Sequence, residues 1–262
     1  DGYSLVSYRL ERSHMTTEQG WAPFPFRTLD GSICFPNGSG GGWVWGEEYM
    51  MGEKHFDGVC FEEAWIFKPG CKHRPFMAMP HFYRERCRIG KEGAGIVLKL
   101  GPNSVYGKLA QSVGSAIYNN WIWAGMITSG CRAQTLEVIA LHKDRRNVLM
   151  VATDGVFGKE NVVCPKPKDT KTWETGKPLG GWEGKTITKG MFLARPGIYF
   201  PLNPTEAELK DVRGRGVGKG VVLEQWRAIV AAYERGEEMI QVYNVTRFCG
   251  GKTSISRKGA GS

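Results

Sequence analysis

Residues 121–158 read WIWAGMITSGCRAQTLEVIALHKDRRNVLMVATDGVFG, and the change of texture inside this stretch decides the fold class. Residues 121–145 predict one long helix whose basic C-terminal end suits the negative end of the helix dipole. VLMVAT (148–153) then predicts a strand, Asp154-Gly155 a turn, and VFGKENVVC (156–164) a returning strand. The alternation is rough, but β-branched content and an Asp-Gly turn together predict a hairpin. A long helix running into an antiparallel hairpin points to an α+β fold.

Working outward, residues 2–12 predict a strand and 21–36 a hairpin turning at Asp30-Gly31. The glycines between 38 and 42 mark a loop, and a short helix is expected after Gly46. Residues 58–68 predict a strand that Pro69-Gly70 ends, with a loop to about residue 80. Residues 81–91 are basic, and 92–113 predict a helix interrupted at Gly101-Pro102. Downstream, 165–188 read as a loop excursion and 190–200 as paired strands around Pro196-Gly197. Residues 219–235 predict an amphipathic helix with Val222, Trp226, Ile229, Val230 and Tyr233 on one side. The expectation is one α+β unit ending in a frayed basic tail from Ser254.

Apolar residues make up 41% of the 262 residues and charged residues 23%, a globular balance that excludes wholesale disorder. No apolar run approaches the ~18 residues of a membrane span. Thirty-five Lys and Arg against 26 Asp and Glu give +9. That charge suits a polyanionic partner such as nucleic acid, or simply solubility. The seven cysteines are scattered and contain no CxxC, so neither a disulfide framework nor a zinc ribbon fits. Reduced thiols in a cytosol-like compartment are expected. The chain begins at Asp1, which predicts a processed chain or a piece of something longer.

Two strings carry chemistry. In KLGPNSVYGK (99–108), Lys99, Asn103 and Tyr106 recur at helical spacing and share one face. A cation, an amide and a ring on one stripe can hold a phosphate, a polar base edge or sugar, and a stacked base. Gly107 leaves room beside the ring. The same spacing also describes a polar helix face with a C-cap glycine. A P-loop fits poorly, because five residues separate Gly101 from Gly107 and Leu109 stands where a Ser or Thr would bind magnesium. In VATDGVF (151–157), Asp154 at a hairpin tip is rigid and exposed, which suits a hard cation such as Mg²⁺. Asp-Gly is equally the commonest hairpin turn chemistry.

Together the strings resemble two signatures of the family B DNA polymerases. Lys99 to Gly107 matches the fingers motif K-x6-Y-G with N-S inside it, and Thr153-Asp154 matches the last two residues of the palm motif D-T-D. The order agrees, and positions 103 and 154 lie 51 residues apart, as in that family's cores. Viral and phage members, including protein-primed-like ones, often carry A-T-D-G at the palm hairpin. The resemblance implies palm over 1–80, helical fingers over 81–120, and palm leading into the start of the thumb over 121–262. It also implies template-directed addition of dNTPs to a primer 3′-hydroxyl with two Mg²⁺ ions. Lys99 would neutralise the triphosphate, Asn103, Tyr106 and Gly107 would line the nucleotide pocket, and Asp154 would hold metal. Arg84, Arg86, Arg88 and Lys91 would add triphosphate contacts. Arg213, Arg215 and Lys219, interleaved with glycines, would approach the duplex backbone, with Arg247 and Lys252 as weaker candidates of the same kind. The implied location is cytoplasmic, in the host cell for a viral protein.

The sequence departs from that pattern in several places. Ala152 replaces the first Asp of the palm hairpin. Of the motif D-x-x-S-L-Y-P, which supplies the other metal-binding Asp, only Asp1, Ser4 and Leu5 match. The second carboxylate is therefore expected from an upstream segment or a second chain. No exonuclease acidic cluster is recognisable, and a full thumb does not fit. The alternative is a non-catalytic, DNA-binding part of a split or degenerate polymerase.

Overall fold

The computed structural model describes residues 3–10, 22–29, 33–35, 38–68, 70, 74–90, 92–114, 116–142, 144–165, 179–187, 189–202, 204–215 and 219–237. It divides into two compact units, residues 1–186 and 187–262, where the sequence pattern had suggested one. Both are mixed α and β with antiparallel sheets, so the α+β class stands.

The first unit is built on a three-stranded sheet of order β4-β1-β5, with β1 Tyr3–Leu10, β4 Gly40–Trp45 and β5 Val59–Phe67. Strand alternation sends Val6, Tyr8 and Leu10 to one face, where they meet Val44, Ala22, Phe24 and Tyr49 in a buried cluster. The short hairpin of β2 (Phe26–Arg27) and β3 (Ile33–Cys34) forms as expected, with its Asp30-Gly31 turn outside the described residues. The glycine cluster is not a loop. Gly40, Gly41 and Gly42 pair with Leu10, Arg9 and Tyr8 of β1. A Cβ on Gly41 would sit 2.8 Å from the Tyr8 carbonyl, so small residues are what let β4 close on β1.

Helix α1 (Gly46–His55) follows β4 directly and lays Tyr49 on the sheet. The long helix α4 (Trp121–Leu141) begins where Asn120 accepts the Trp123 N–H at 3.1 Å. It lies against β4 at Gly125, where the Trp45 indole leaves no room for a Cβ. Leu136 and Ile139 of α4 join Phe56 and Val148 in a second cluster that Val151 and Val156 complete. That cluster seats the hairpin of β6 (Val148–Ala152) and β7 (Gly155–Gly158) on α4. The helix stops at Leu141, short of the expected residue 145. Asp144 caps a separate 3-10 turn by accepting the Arg146 N–H at 3.0 Å, and the Arg145 guanidinium packs 4.2 Å from the Phe56 ring.

Between β5 and α4 stand α2 (Met79–Ile89) and α3 (Ala94–Leu109), which pack on each other where Gly95 meets the Gly90 carbonyl. Helix α3 runs without a break through Pro102, which corrects the expected interruption. One i→i−4 bond is lost there, and the helix is otherwise intact around it.

The second unit pairs β8 (Met191–Arg195) with β9 (Ile198–Pro201) around Gly197, whose φ of +88° suits glycine. Strand β10 (Arg213–Gly214) adds to β9, and α5 (Lys219–Glu234) packs Trp226, Ile229 and Val230 on Phe200 and Val212. These are residues the amphipathic pattern assigned to the inner side.

Candidate active site

The hairpin tip is where local strain concentrates. Ala152 pairs with Gly155, so the two-residue turn is Thr153-Asp154 rather than Asp154-Gly155. Thr153 sits at φ +59°, alone among described non-glycine residues in that region. For a β-branched residue this conformation is costly, of order 1–3 kcal/mol, and such outliers gather at functional sites. The Asp154 side chain beside it is exposed. The Cys131 thiol of α4 reaches the Thr153 carbonyl as a weak donor at 3.8 Å and ties the tip to the helix. Burial, and next the Asp154 charge, hold the Cys131 thiol above its ordinary pKa, so it stays a neutral donor.

Arg132, the next residue on α4, makes the principal ion pair of the site. Its Nε and Nη2 donate to Glu48 Oε1 and Oε2 of α1 at 2.5 and 2.8 Å. Glu48 is 0% exposed, whereas the Arg132 side chain is 36% exposed. Burial works against the Arg132 charge, but the bidentate bonding and charge of Glu48, with smaller help from Cys131 and Tyr106, raise its pKa. Glu48 in turn adds to the effect of burial in raising the Tyr8 pKa.

The stripe lies on α3, which packs against α4. Tyr106, 43% exposed, is close enough to act electrostatically on Arg132. Asn103 and Lys99 follow toward the N-terminal end of α3, both exposed. Lys99 lies about 10 Å along the axis from Tyr106. At Gly107 an added Cβ would meet nothing within 4 Å. No packing among the described residues explains a glycine there, although it costs a helix interior about 1 kcal/mol. Consecutive residues of α4 thus face different elements: Cys131 reaches the hairpin tip, while Arg132 pairs with Glu48 of α1 and is electrostatically coupled to Tyr106.

Other predicted site residues lie elsewhere. Arg84, Arg86 and Arg88 are on α2, and Arg88 is paired with Glu85 at 2.8 Å. That pair holds the Glu85 carboxyl below, and the Arg88 guanidinium above, their ordinary pKa values. Arg213 and Arg215 belong to the second unit. Arg213 turns back to donate to the Lys210 carbonyl at 2.6 Å, while Arg215 rests its stem on Gly197 with its side chain exposed. The Lys219 side chain, Asp1, Lys91, Arg247 and Lys252 lie outside the described residues. Among the described residues no group of three or more His, Cys, Asp or Glu is placed to hold a metal ion, and no helix is long and apolar enough to cross a membrane.

Glu48, Cys131 and Arg132 were not singled out by the sequence, and Thr153 only as part of the palm-motif match. An acidic residue in the first turn of a helix reads as ordinary dipole chemistry, and its partner is 84 residues away. No family model, no curated protein and no solved structure matches the chain.

Proposed function

We propose that the chain is the palm-and-fingers core of a DNA-directed DNA polymerase of the family B type, which adds dNTPs to a primer 3′-hydroxyl. One observation carries the reading. Consecutive residues of α4 link the two strings: Cys131 donates to the Thr153 carbonyl beside the exposed Asp154, and Arg132 is electrostatically coupled to Tyr106 of the α3 stripe. That adjacency supports reading a metal-holding carboxylate and a nucleotide-holding face as parts of one site.

In this reading each residue has a task set by its chemistry. Lys99 neutralises the triphosphate. Asn103 meets the sugar or a base edge. Tyr106 supplies a stacking face, and the space beside Gly107 admits the nucleotide. The hard carboxylate oxygens of Asp154 fit Mg²⁺. Such ions, when bound, stabilise the attacking and leaving oxygens of an in-line displacement. Holding two of them takes a further carboxylate, which an upstream segment or a second chain would supply. Arg88 would have to leave Glu85 to meet a phosphate. Arg215, whose side chain is exposed, suits the duplex backbone better than the self-engaged Arg213.

The reading is tested by kinetics of a Lys99→Ala variant in an assembly competent for extension. KM for dNTP should rise, or kcat fall, while primer–template affinity stays unchanged. A loss of DNA affinity with unaltered nucleotide kinetics would refute the assignment of α3.

A further inference from the structure

A carboxylate removed from water loses several kcal/mol of hydration, and a buried ion pair is weak evidence of stability. Glu48 carries that cost in full, since its side chain is wholly buried. Both of its oxygens go to Arg132, through Nε and Nη2, in the forked geometry that fixes a guanidinium in orientation as well as place. The Nη1 edge takes no part in that fork, and the Arg132 side chain is one-third open to solvent. Cys131, one residue away, holds the Thr153 carbonyl beside Asp154.

We propose that Glu48 is a positioning residue of the nucleotide site: through its buried fork it fixes Arg132 on α4, next in the chain to the Cys131 that contacts the hairpin tip. The inference rests on the nucleotide-binding reading above and deepens it. Arg132 supplies a fixed positive charge on α4, one residue from that contact, to which a Mg²⁺–dNTP complex would bring its negative charge. Glu48 keeps that guanidinium from swinging out to solvent. An anion that binds there does not itself have to order a long side chain, which is the advantage of preorganisation.

The test compares wild type with Glu48→Gln, Arg132→Lys and the double variant, with Lys99→Ala as a control. One readout is the ¹⁵N Nε–Hε resonance of Arg132, and the other is the affinity for mant-dATP with Mg²⁺. A single ordered Nε–Hε signal is expected in wild type and its loss in Glu48→Gln. Mant-dATP binding should weaken about tenfold in Glu48→Gln, in the range seen when supporting partners of a site are removed. The double variant should bind no more weakly than Arg132→Lys alone, because Glu48 acts only through Arg132. If Glu48→Gln does not fold, Arg132→Lys carries the test, since it keeps the charge and loses the fork. Its binding should weaken by a similar factor.

Unchanged mant-dATP affinity in the folded Glu48→Gln or Arg132→Lys variant, with Lys99→Ala still weakening it, would overturn the positioning role alone. An unaltered Nε–Hε signal in Glu48→Gln would do the same. Absence of mant-dATP binding by wild type would overturn the nucleotide reading and this inference with it.

Discussion

Thr153 is the residue at which conformation and chemistry conflict most openly. A β-branched side chain at φ +59° is disfavoured, yet it precedes the exposed Asp154. Thr153→Gly should therefore raise stability by about 1 kcal/mol, read as a shift of the denaturation midpoint, while extension falls as the tip loosens. Asp154→Asn should leave the melting temperature within about 2 °C, because the side chain is exposed and surface changes seldom exceed ±0.5 kcal/mol. Asp154 was legible in the sequence because Asp-Gly between β-branched runs is a strong hairpin signal. The strain was not, since it depends on a register in which Gly155 pairs with Ala152 and pushes the turn back by one residue. Glu48 was illegible for a different reason. A buried charge is tolerable only beside its partner, and nothing in the local string around residue 48 announces Arg132.

Among the elements, α3 bears most on the proposed function. Its polar stripe was readable from spacing alone, because positions 99, 103 and 106 fall on one face of any α-helix. Its continuity through Pro102 was not, since a proline in a helix interior ordinarily ends or kinks it. Gly107→Ala separates stability from function on this helix. With open space around it, the added methyl should stabilise the helix by roughly 0.5–1 kcal/mol. The same methyl should raise KM for dNTP if the space belongs to a ligand. A stabilised variant with unaltered nucleotide kinetics would show that the glycine serves no ligand. Strand β4 makes the converse point about legibility. Its glycines signal a loop by composition, but the close approach to Tyr8 of β1 makes them strand residues. Helix α4 fell short of its expected end because Asp144 offers a cap to a new turn, a local competition that outweighs a basic helix end.

The chain as a whole has a pH dependence set by groups that hold their protons more tightly when folded. Burial raises the thiols of Cys131 and Cys164 above 9.0. It also raises the phenol of Tyr8 above 10.0 and, with Glu53 close by, that of Tyr49 to about 12. Above these ordinary values the unfolded chain releases protons that the folded one keeps, so folding stability falls as pH rises. The melting temperature should be flat near pH 7–8 and decline above about pH 9, and a rise across that window would contradict these assignments. The net charge of +9 should give DNA binding that weakens steeply with salt, measurable by titration at rising ionic strength. Extension requires more than that charge. On the proposed reading Asp154 supplies one of the carboxylates that two ions need, so the 262-residue chain alone should extend primers negligibly. The most direct test is primer extension by the chain supplemented, in cis or as a second chain, with a segment that supplies the second carboxylate. The account predicts extension by the supplemented assembly and its loss on Asp154→Asn with DNA affinity retained. Undiminished extension by the Asp154→Asn assembly would contradict it.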